Sequence, residues 1–403
     1  MVKSFFIPGS KSLSARAIVA DALAGGKASI HNIAVCDDAE RLAAAFAMLD
    51  SRPTAEIYIG SGAAPLRFFL AAAASMPGRK ASVSCDPQLA RRPIKPLIDA
   101  LRSLGADIDM TGEGKFRVAG RRLKGGAVSV DGSISSQFIS ALMLAAPCWE
   151  QGAEIRIEGE TTVSRPYIDM TASVMRDFGA RVKADGRKIT VASGGYTPPE
   201  NYRVEPDWSA ASYIYEAVAL AAVDGSGGME AVVPGLTMPA LTNQGDAACL
   251  ELFSKFVKTT FNAEGARLST LIYKPETCFR ADLTDTPDLA PALAATLCGL
   301  QVPFRLDGLA HLRVKESDRI KALSSQLSAC GFDLHAGDSF LESAAATPRF
   351  PKERITVDTF GDHRIAMSMA LLAPLMPAGL TVDRPEVVAK SFPSFWQSFP
   401  SLR

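Results

Sequence analysis

The sequence predicts an α/β protein made of two lobes, and three observations lead to this prediction. The chain has 403 residues, a length typical of two or three domains. A short apolar strand, a turn rich in Gly, Asp and Ser, and an Ala-rich helix recur together six times along the chain. Amphipathic helices, most of them leading to a glycine, alternate with these Ala-rich helices.

Each of the six units begins with a strand that leads into a helix of almost entirely apolar residues. The six stretches are SFFIPGSKSLSARAIVADALA, EIYIGSGAAPLRFFLAAAA, VSVDGSISSQFISALMLAA, YRVEPDWSAASYIYEAVALAA, FRADLTDTPDLAPALAATLCGL and ITVDTFGDHRIAMSMALLA. A helix that is apolar on every side is buried on every side. Polar residues are confined to the first turn of each helix, so we expect only that turn to reach solvent or a ligand.

A second type of helix has apolar residues at three- and four-residue spacing, with charged residues between them. It appears in IKPLIDALRSLGADI, YIDMTASVMRDFGARV, ESDRIKALSSQLSACGFDL and, less regularly, NQGDAACLELFSKFV. This spacing predicts a helix with one wet face. Each unit is therefore expected to run strand, buried helix, strand, amphipathic helix, and then one or two strands. The first unit is shortened, because only DSRPTAEIYIG separates its amphipathic helix (DDAERLAAAFAML) from the second unit.

Six units suit two lobes of three, with three buried helices at the centre of each lobe. We expect an N-terminal lobe of residues 12–206, which includes the shortened unit. A C-terminal lobe would contain residues 1–11 and 207–403. The second crossing is placed near NYRVEPDWS, which follows the Gly- and Pro-containing segment GGYTPPE. An active site is expected in the cleft between the lobes.

Composition and charge exclude several classes of protein. The formal net charge is +0, so nucleic acid and anionic membrane surfaces are not expected partners. No apolar stretch is long enough to span a membrane, and the N-terminus has no secretory signal pattern, so we expect a cytoplasmic protein. Seven cysteines without a CxxC pair argue against a disulfide framework and against a thiolate metal site. We expect no metal and no cofactor.

The starts of the six buried helices carry hydroxyl groups and cations together. The residues are Lys11, Ser12 and Arg16; Ala63, Ala64 and Arg67; Ser135, Ser136 and Gln137; Asp207 and Ser209; Asp288; and Asp362, His363 and Arg364. A helix N-terminus presents free N–H groups and a partial positive charge, and added guanidinium groups favour anion binding. Helix capping explains one Ser or Asp per helix, but it does not explain arginines in otherwise apolar helices.

More cations lie outside these helix starts. Arg91 and Arg92 precede one amphipathic helix, and Lys390 lies in VAKSFPSF near the C-terminus. The run RVKESDR places Lys315 and Arg319 four residues apart, so the two side chains share a face if the helix has already begun there. Taken alone, each of these residues is typical of a solvated surface charge. Together with the helix starts they indicate a site for small polyanions.

The motifs that carry these residues resemble those of one enzyme family. They are PGSKSLSAR, RRPI, DGSISSQF, SRPYIDMT, DTPDLA, RVKESDR, GDHRIAMS and AKSFP, which together extend over nearly the whole chain. The sequence resembles the 5-enolpyruvylshikimate-3-phosphate (EPSP) synthase family of enolpyruvyl transferases. The resemblance implies a two-domain inverted α/β barrel, each domain with three βαβαββ repeats, and this agrees with the repeats found above.

The resemblance implies two small-molecule substrates, shikimate 3-phosphate and phosphoenolpyruvate, and a protein that acts as a monomer and closes its domains around them. Shikimate 3-phosphate would be bound by Lys11, Ser12, Arg16, Ser135, Ser136, Gln137, Ser164, Tyr167, Asp288, His311 and Lys315. Phosphoenolpyruvate would be bound by Lys11, Ala63, Arg92, Gln137, Arg319, Arg364 and Lys390.

The implied reaction transfers the carboxyvinyl group of phosphoenolpyruvate to the 5-hydroxyl of shikimate 3-phosphate, with release of phosphate through a tetrahedral intermediate. It serves the shikimate pathway of aromatic amino acid and chorismate biosynthesis. By resemblance, Glu316 protonates C3 of the enol and Asp288 takes the proton of the 5-hydroxyl, assisted by Lys11. A salt bridge within its own helix is the structural alternative for Glu316, and a helix cap is the alternative for Asp288.

The sequence departs from the family pattern at three motif positions. GSGAAPLR has Ala63 where most relatives have the last glycine and Ala64 where they have threonine, and His311 replaces a common asparagine. In this family, alanine at the position of Ala63 is associated with poor binding of glyphosate. We therefore expect reduced glyphosate sensitivity.

Two alternative functions fit parts of the same pattern. One is the sister enolpyruvyl transferase that acts on UDP-N-acetylglucosamine, which lacks the SRPY, DGSISSQF and RVKESDR set. The other is a non-catalytic anion-binding relative, for which loss of the acid and base is expected, although Glu316 and Asp288 are both present. A P-loop enzyme is excluded because GSKS lacks the required first glycine and its spacing.

Overall fold

The computed structural model describes residues 2–272 and 277–402, and the chain forms two compact units. The N-terminal unit is Gly9–Val204, and the C-terminal unit contains the chain up to Pro8 and from Glu205 onward. The lobe boundary expected after residue 11 falls within the first turn of helix α1 (Lys11–Leu23). Residues 1, 273–276 and 403 of the expected lobes lie outside the described residues.

The N-terminal unit extends from helix α1 to strand β11. Strand β1 (Lys3–Ser4) precedes it and lies in the C-terminal unit. Besides α1, its helices are α2 Asp37–Ser51, α3 Ala63–Ala74, α4 Pro87–Ala90, α5 Lys95–Ser103, α6 Ser136–Ala145 and α7 Arg165–Asp177. Its strands are β2 Ser29–His31, β3 Thr54–Tyr58, β4 Lys80–Ser84, β5 Asp107–Gly112, β6 Lys115–Ala119, β7 Gly126–Asp131, β8 Ala153–Glu158, β9 Val182–Asp185, β10 Lys188–Val191 and β11 Asn201–Arg203.

Two four-stranded sheets and one two-stranded sheet organise the N-terminal unit. The orders are β3-β4-β6-β5, β7-β8-β10-β9 and β11-β2. In each four-stranded sheet a parallel pair comes first, with a buried helix between its two strands, and antiparallel strands complete the sheet. Parallel strands need a crossover connection of this kind, so the strand–helix–strand order predicted from the repeats follows directly.

The C-terminal unit repeats this plan. Its helices are α8 Trp208–Leu220, α9 Cys249–Leu252, α10 Ala290–Gly299, α11 Arg319–Ala329, α12 His363–Ala370 and α13 Phe395–Ser398. Besides β1, its strands are β12 Glu230–Pro234, β13 Val257–Asn262, β14 Gly265–Thr270, β15 Phe279–Asp282, β16 Phe304–Asp307, β17 His335–Ala336, β18 Leu341–Ser343, β19 Ile355–Val357 and β20 Leu380–Val382. Its sheet orders are β1-β12-β14-β13, β15-β16-β18-β17 and β19-β20.

Helices that are apolar on every side form the centre of both units, as the sequence predicts. In the N-terminal unit α1, α3 and α6 contact one another, and in the C-terminal unit α8, α10 and α12 do so. Every residue of α10 is buried, and so is every residue of α3 except Ala64. The alanines in these helices have small side chains, which lets the helix backbones approach closely while apolar surface is removed from water.

Two of the six stretches expected to form the start of a single repeat cross between the two units. Strand β1 precedes α1 in sequence but pairs with β12, and strand β11 precedes α8 but pairs with β2. The strand and the helix of the first and fourth stretches therefore belong to different units. A two-stranded sheet occurs in both units, β2 with β11 and β19 with β20, although the sequence predicted one shortened repeat.

The helix expected in NQGDAACLELFSKFV is mostly absent. The segment forms a 3-10 turn over Gly245–Ala248 and then only the four-residue helix α9. The side chain of Gln244 accepts a hydrogen bond from the Trp208 backbone N–H at 3.1 Å and donates one to the Pro206 carbonyl at 2.9 Å. These contacts hold the start of the segment against the N-terminus of α8.

Candidate active site

The first turn of α1 brings cations and hydroxyl groups together, as the PGSKS sequence predicted. Gly9 is required before this turn, because a Cβ there would lie 1.9 Å from the Asn32 carbonyl oxygen. The Ser10 side chain caps the helix by accepting a hydrogen bond from the Leu13 N–H at 3.4 Å. Lys11 Nζ lies 3.1 Å from Asp38 Oδ2 on α2, so an ion pair joins the starts of the two helices.

Arg16 is a buried cation that is bound by neutral oxygen atoms. Its side chain is about 2% exposed, and its guanidinium donates to Thr171 Oγ1 at 2.7 Å, to the Ser12 carbonyl at 2.8 Å and to the Tyr167 carbonyl at 3.0 Å. Burial lowers the pKa of Arg16 to about 10, so the group remains charged at neutral pH. A buried charge is costly without a counter-ion, so this geometry favours an anionic ligand at the start of α1.

The starts of α6 and α7 present the predicted hydroxyl groups. Ser135 caps α6 by accepting a hydrogen bond from the Gln137 N–H at 3.3 Å, and Ser136 is buried. Ser164 precedes α7 with a left-handed backbone (φ 56°, ψ 43°), a conformation that non-glycine residues rarely adopt. Tyr167 is half-buried in the first turn of α7. Strained backbone of this kind is often found at ligand-binding sites.

Arg67 on α3 connects two of the predicted motifs. Its guanidinium donates to Gln137 Oε1 and to the Pro93 carbonyl, the second contact at 2.6 Å. It therefore links the start of α6 to the RRPI segment, where Arg92 is half-buried. Ala63 begins α3 and is about 5% exposed. Arg67 thus brings together the predicted residues of three motifs, GSGAAPLR, RRPI and DGSISSQF.

Asp288 in the C-terminal unit lies between two arginines. Its Oδ1 lies 2.9 Å from Arg319 Nη1, and its Oδ2 lies 2.8 Å from Arg364 Nη2. Lys315 Nζ is 3.6 Å from the same Oδ1. Asp288 does not cap α10, because it lies in a 3-10 turn over Pro287–Leu289 that precedes the helix and makes no side-chain cap there. Its carboxylate is therefore committed to cations.

Arg319 is the centre of a larger ionic cluster. Its side chain is about 1% exposed, and besides Asp288 it contacts Glu316 Oε2 at 2.8 Å and Asp362 Oδ2 at 2.7 Å. Lys390 Nζ lies 4.0 Å from Glu316 Oε1. Glu316 therefore forms the local salt bridge that was its structural alternative, and its partner is Arg319 of the predicted site. Lys315 precedes the start of α11, so Lys315 and Arg319 do not share a helix face. Both side chains nevertheless contact Asp288.

The charges of this cluster shift the pKa values of its members. Burial raises the pKa of Asp288, but the charges of Arg364 and Lys315, followed by Arg319, outweigh burial and hold this pKa well below its usual range. Burial also disfavours the charged form of Arg319, yet Asp362 and Glu316 together raise its pKa above the usual value. Asp288 is therefore ionised at neutral pH and strongly held.

His311, which replaces a common asparagine, is neutral at pH 7. It lies in the 3-10 helix Ala310–Val314 and is about 9% exposed. Burial and the nearby charge of Lys315 lower its pKa to about 4. Its Nε2 makes no hydrogen bond within residues 2–272 and 277–402. A neutral imidazole offers one hydrogen-bond donor and one acceptor, and an asparagine amide also offers both. His311 can therefore replace asparagine at a polar contact.

The chain was compared with known proteins and structures. The model of the EPSP synthase (3-phosphoshikimate 1-carboxyvinyltransferase) family matches residues 51–399. This chain belongs to the EPSP synthase family. A 3-phosphoshikimate 1-carboxyvinyltransferase from Bacteroides fragilis (strain YCH46) is 36% identical and covers 97% of this chain and 92% of its own length. One from Syntrophobacter fumaroxidans is 34% identical, with 98% and 96% coverage.

Solved structures of the EPSP synthase family and its relatives share the fold. An EPSP synthase from Acinetobacter baumannii matches with a TM-score of 0.76 at 23% identity, covering 99% of this chain and 95% of that one. The enolpyruvyl transferase NikO from Streptomyces tendae matches with a TM-score of 0.72 at 16% identity, covering 100% and 95%. The predicted fold class, a two-domain enolpyruvyl transferase fold, is therefore confirmed.

The sequence analysis of this EPSP synthase family member did not predict the partners of two buried acidic side chains, Asp362 and Asp246. Asp362 was noticed as a helix start, and the structure shows that it both caps α12 and pairs with Arg319. Asp246 is about 3% exposed and accepts a hydrogen bond from Ser209 Oγ. Burial, together with the charge of Asp288, raises the pKa of Asp246 to about 6. The acid between Gly245 and two alanines in GDAA was the signal available in the sequence.

Within residues 2–272 and 277–402, no group of three or more His, Cys, Asp or Glu side chains could hold a metal ion. Among the same residues, the helices are all too short or too polar to cross a membrane.

Proposed function

We propose that this chain transfers the carboxyvinyl group of phosphoenolpyruvate to the 5-hydroxyl of shikimate 3-phosphate and releases phosphate. Membership of the EPSP synthase family supports the reaction. The observation that carries the proposal is the buried cluster in which Arg319 contacts Asp288 and Glu316, because it combines an anion-binding cation with the two carboxylates that the chemistry needs.

The N-terminal unit supplies most of the proposed shikimate 3-phosphate site. The anionic group of shikimate 3-phosphate is attracted by Arg16, which is buried among neutral oxygens, and by the partial positive charge at the N-terminus of α6. The residues proposed to contact this substrate are Lys11, Ser12, Arg16, Ser135, Ser136, Gln137, Ser164 and Tyr167, together with Asp288, His311 and Lys315 of the C-terminal unit.

Phosphoenolpyruvate requires cations for both its carboxylate and its phosphate. Arginine suits these groups because its planar fork donates two parallel hydrogen bonds. The residues proposed to contact this substrate are Lys11, Ala63, Arg92, Gln137, Arg319, Arg364 and Lys390. Because these residues come from both units, the proposal includes closure of the units around the two substrates. One chain supplies every proposed residue, so a monomer suffices.

The reaction needs two proton movements. C3 of the enol gains a proton, which makes C2 electrophilic, and the 5-hydroxyl loses its proton as its oxygen attacks C2. The tetrahedral intermediate then loses the C3 proton and phosphate, which restores the double bond. We assign the C3 proton to Glu316 and the hydroxyl proton to Asp288, with Lys11 assisting. Positioned carboxylates transfer protons well when their pKa lies near the working pH.

In the unliganded protein Asp288 is a poor base, because its cationic neighbours hold its pKa low. The same Arg319 and Arg364 are the groups proposed to bind phosphoenolpyruvate. When the substrate anion takes their hydrogen bonds, Asp288 loses part of the positive charge that stabilises its ionised form, and its pKa rises. Binding of the donor therefore prepares the base, so that deprotonation of the acceptor follows binding of both substrates.

Phosphate release from phosphoenolpyruvate, measured with and without shikimate 3-phosphate, tests the proposed function. The expected result is release only when the acceptor is present. A parallel assay with UDP-N-acetylglucosamine as acceptor should give no release. Release with that acceptor, or no release with shikimate 3-phosphate from a folded protein, would overturn the proposal.

A further inference from the structure

Three helices of the N-terminal unit are joined by a buried network of three polar contacts. Arg16 on α1 donates from Nε to Thr171 Oγ1 on α7 at 2.7 Å. Thr171 Oγ1 also lies 2.8 Å from Ser140 Oγ on α6, and Arg16 Nη2 lies 3.5 Å from the same Ser140 oxygen. Thr171 and Ser140 are both 0% exposed. A serine and a threonine therefore surround a cation inside a core that is otherwise mostly apolar.

This polar layer lies one helical turn below residues proposed to bind shikimate 3-phosphate. On each of the three helices, the proposed substrate residue and the buried residue are four positions apart. The pairs are Ser12 and Arg16 on α1, Ser136 and Ser140 on α6, and Tyr167 and Thr171 on α7. Residues at i and i+4 lie on the same face of a helix, one above the other. The buried layer therefore fixes the mutual register of three substrate-binding turns.

The hydroxyl of Thr171 contacts polar atoms of α1, α6 and α7. A hydroxyl group donates one hydrogen bond and accepts two. Thr171 Oγ1 accepts from Arg16 Nε, and its hydroxyl lies within donating distance of two acceptors, the Tyr167 carbonyl at 2.7 Å and Ser140 Oγ at 2.8 Å. The Tyr167 carbonyl also accepts from Arg16 Nη2 at 3.0 Å. One hydroxyl group thus sets the position of the Arg16 guanidinium and is tied to the first turn of α7.

We propose that Thr171 is a positioning residue for shikimate 3-phosphate, which it serves by holding Arg16 and the first turns of α1, α6 and α7 in register. The inference rests on the proposed function, because it takes the acceptor substrate as the anion bound at these turns. Thr171 is completely buried and acts through Arg16 and Tyr167. Nothing in apolar packing requires the hydroxyl, since a valine has the same shape.

The test compares Thr171→Val, which removes the hydroxyl, with Thr171→Ser, which keeps it. For Thr171→Val we expect the KM for shikimate 3-phosphate to rise about tenfold, the effect of losing one hydrogen bond to a charged group. The KM for phosphoenolpyruvate and kcat should change by less than about threefold, because those steps do not use this layer. Thr171→Ser should return the KM for shikimate 3-phosphate to within about threefold of the unchanged protein.

Ser140→Ala provides a second variant that keeps the core filled, because alanine lacks only the hydroxyl. It should raise the KM for shikimate 3-phosphate by a smaller factor, about threefold, because its contact with Arg16 is the longest of the set. If Thr171→Val does not fold, Ser140→Ala alone decides. An unchanged KM for shikimate 3-phosphate in Ser140→Ala would then overturn the inference.

Three further results would overturn the inference where Thr171→Val folds. These are an unchanged KM for shikimate 3-phosphate, a loss of kcat without a change in that KM, and a Thr171→Ser protein as impaired as Thr171→Val. The last would show a role in packing alone. Calorimetric titration with shikimate 3-phosphate separates this inference from the proposed function. If the unchanged protein binds this compound but releases no phosphate, the reaction is wrong, and Thr171→Val must still weaken the binding.

Discussion

The Asp288 carboxylate and the Arg364 guanidinium form an ion pair with 2.8 Å between Oδ2 and Nη2, while the other oxygen of Asp288 contacts Arg319 at 2.9 Å. One carboxylate thus occupies two arginines that the proposed function assigns to phosphoenolpyruvate. Buried ion pairs are costly to break by removing one partner, but a substrate anion can replace the partner without leaving a cation unpaired. Asp288 therefore holds the donor site in the absence of substrate.

Replacing Asp288 by asparagine separates binding from turnover. We expect Asp288→Asn to lower kcat at least about 100-fold, because a general base is lost. Phosphoenolpyruvate should bind at least as tightly as before, because the carboxylate no longer competes for Arg319 and Arg364. Phosphate release measures the first effect, and calorimetric titration with phosphoenolpyruvate in the presence of shikimate 3-phosphate measures the second.

Asp338→Asn is the matched control for this change. Asp338 is fully exposed and pairs with Arg313. Surface ion pairs contribute about 0–1 kcal/mol, so the control should keep both turnover and binding. Turnover of Asp288→Asn close to that of the control would show that Asp288 is not the base.

Glu316 can be tested by hydrogen exchange in D₂O. If Glu316 protonates C3, the methyl group of the intermediate contains solvent deuterium, and its collapse leaves deuterium in the vinyl group of the product. Glu316→Gln cannot deliver this proton, and we expect both deuterium incorporation and phosphate release to fall at least about 100-fold. Glu342→Gln changes a carboxylate in the outer pair with Arg305 and serves as control. Unimpaired deuterium incorporation by Glu316→Gln would assign the proton to another group.

Glu216 is a buried acid that the proposed reaction does not use. It is 0% exposed on α8, and neither of its carboxylate oxygens has a hydrogen-bond partner within the described residues. Burial raises its pKa well above the usual value, so the folded protein keeps this proton where the unfolded chain has lost it. The free energy of unfolding therefore decreases as pH rises above about 4.3, by about 1.4 kcal/mol per pH unit, up to the folded-state pKa.

Glu216→Gln removes this ionisation and should make the free energy of unfolding less dependent on pH. We expect the free energy of unfolding of the variant to be closest to that of the unchanged protein near pH 5. At pH 8 we expect the variant to be the more stable of the two. Thermal denaturation at both pH values measures the difference, with Glu251→Gln as a control at an exposed position. A constant stability difference between Glu216→Gln and the unchanged protein across this pH range would refute the assignment.

Ala63 is predicted to reduce sensitivity to glyphosate. Ala63→Gly removes a methyl group at the start of α3. The preceding residue is Gly62, and a Cβ at Gly62 would lie 2.7 Å from Asp38 Oδ1. We expect the glyphosate inhibition constant to fall about tenfold, which corresponds to about 1.4 kcal/mol. Ala64→Gly, one position along the same helix, is the control and should leave inhibition nearly unchanged. Equal inhibition of the Ala63→Gly and unchanged proteins by glyphosate would refute this prediction.

Local sequence pattern predicted much of the fold, and distant pairings were beyond its reach. The apolar character of α3 and α10 was sufficient to predict that both helices are buried. The partners of β1 and β11 were not predictable, because periodicity describes one segment and not the strand beside it. The same limit applies to the site: Asp288 was recognised, but its partner Arg364 is 76 residues away in sequence.

Burial also explains what the sequence could not reveal about individual side chains. Arg16 was expected to bind an anion, but its contacts with Ser140 and Thr171 depend on three helices meeting. Glu216 is one acid in an apolar stretch, and its complete burial follows from the packing of α8 among the other central helices. Composition alone gives no sign of either environment.

The structure of the product formed from shikimate 3-phosphate and phosphoenolpyruvate tests the central claim most directly. Mass spectrometry and ¹³C NMR of the isolated product should show one carboxyvinyl group joined through the 5-oxygen, with one phosphate released for each molecule formed. Phosphate released without this ether, or a folded protein that leaves both compounds unchanged, would contradict the account.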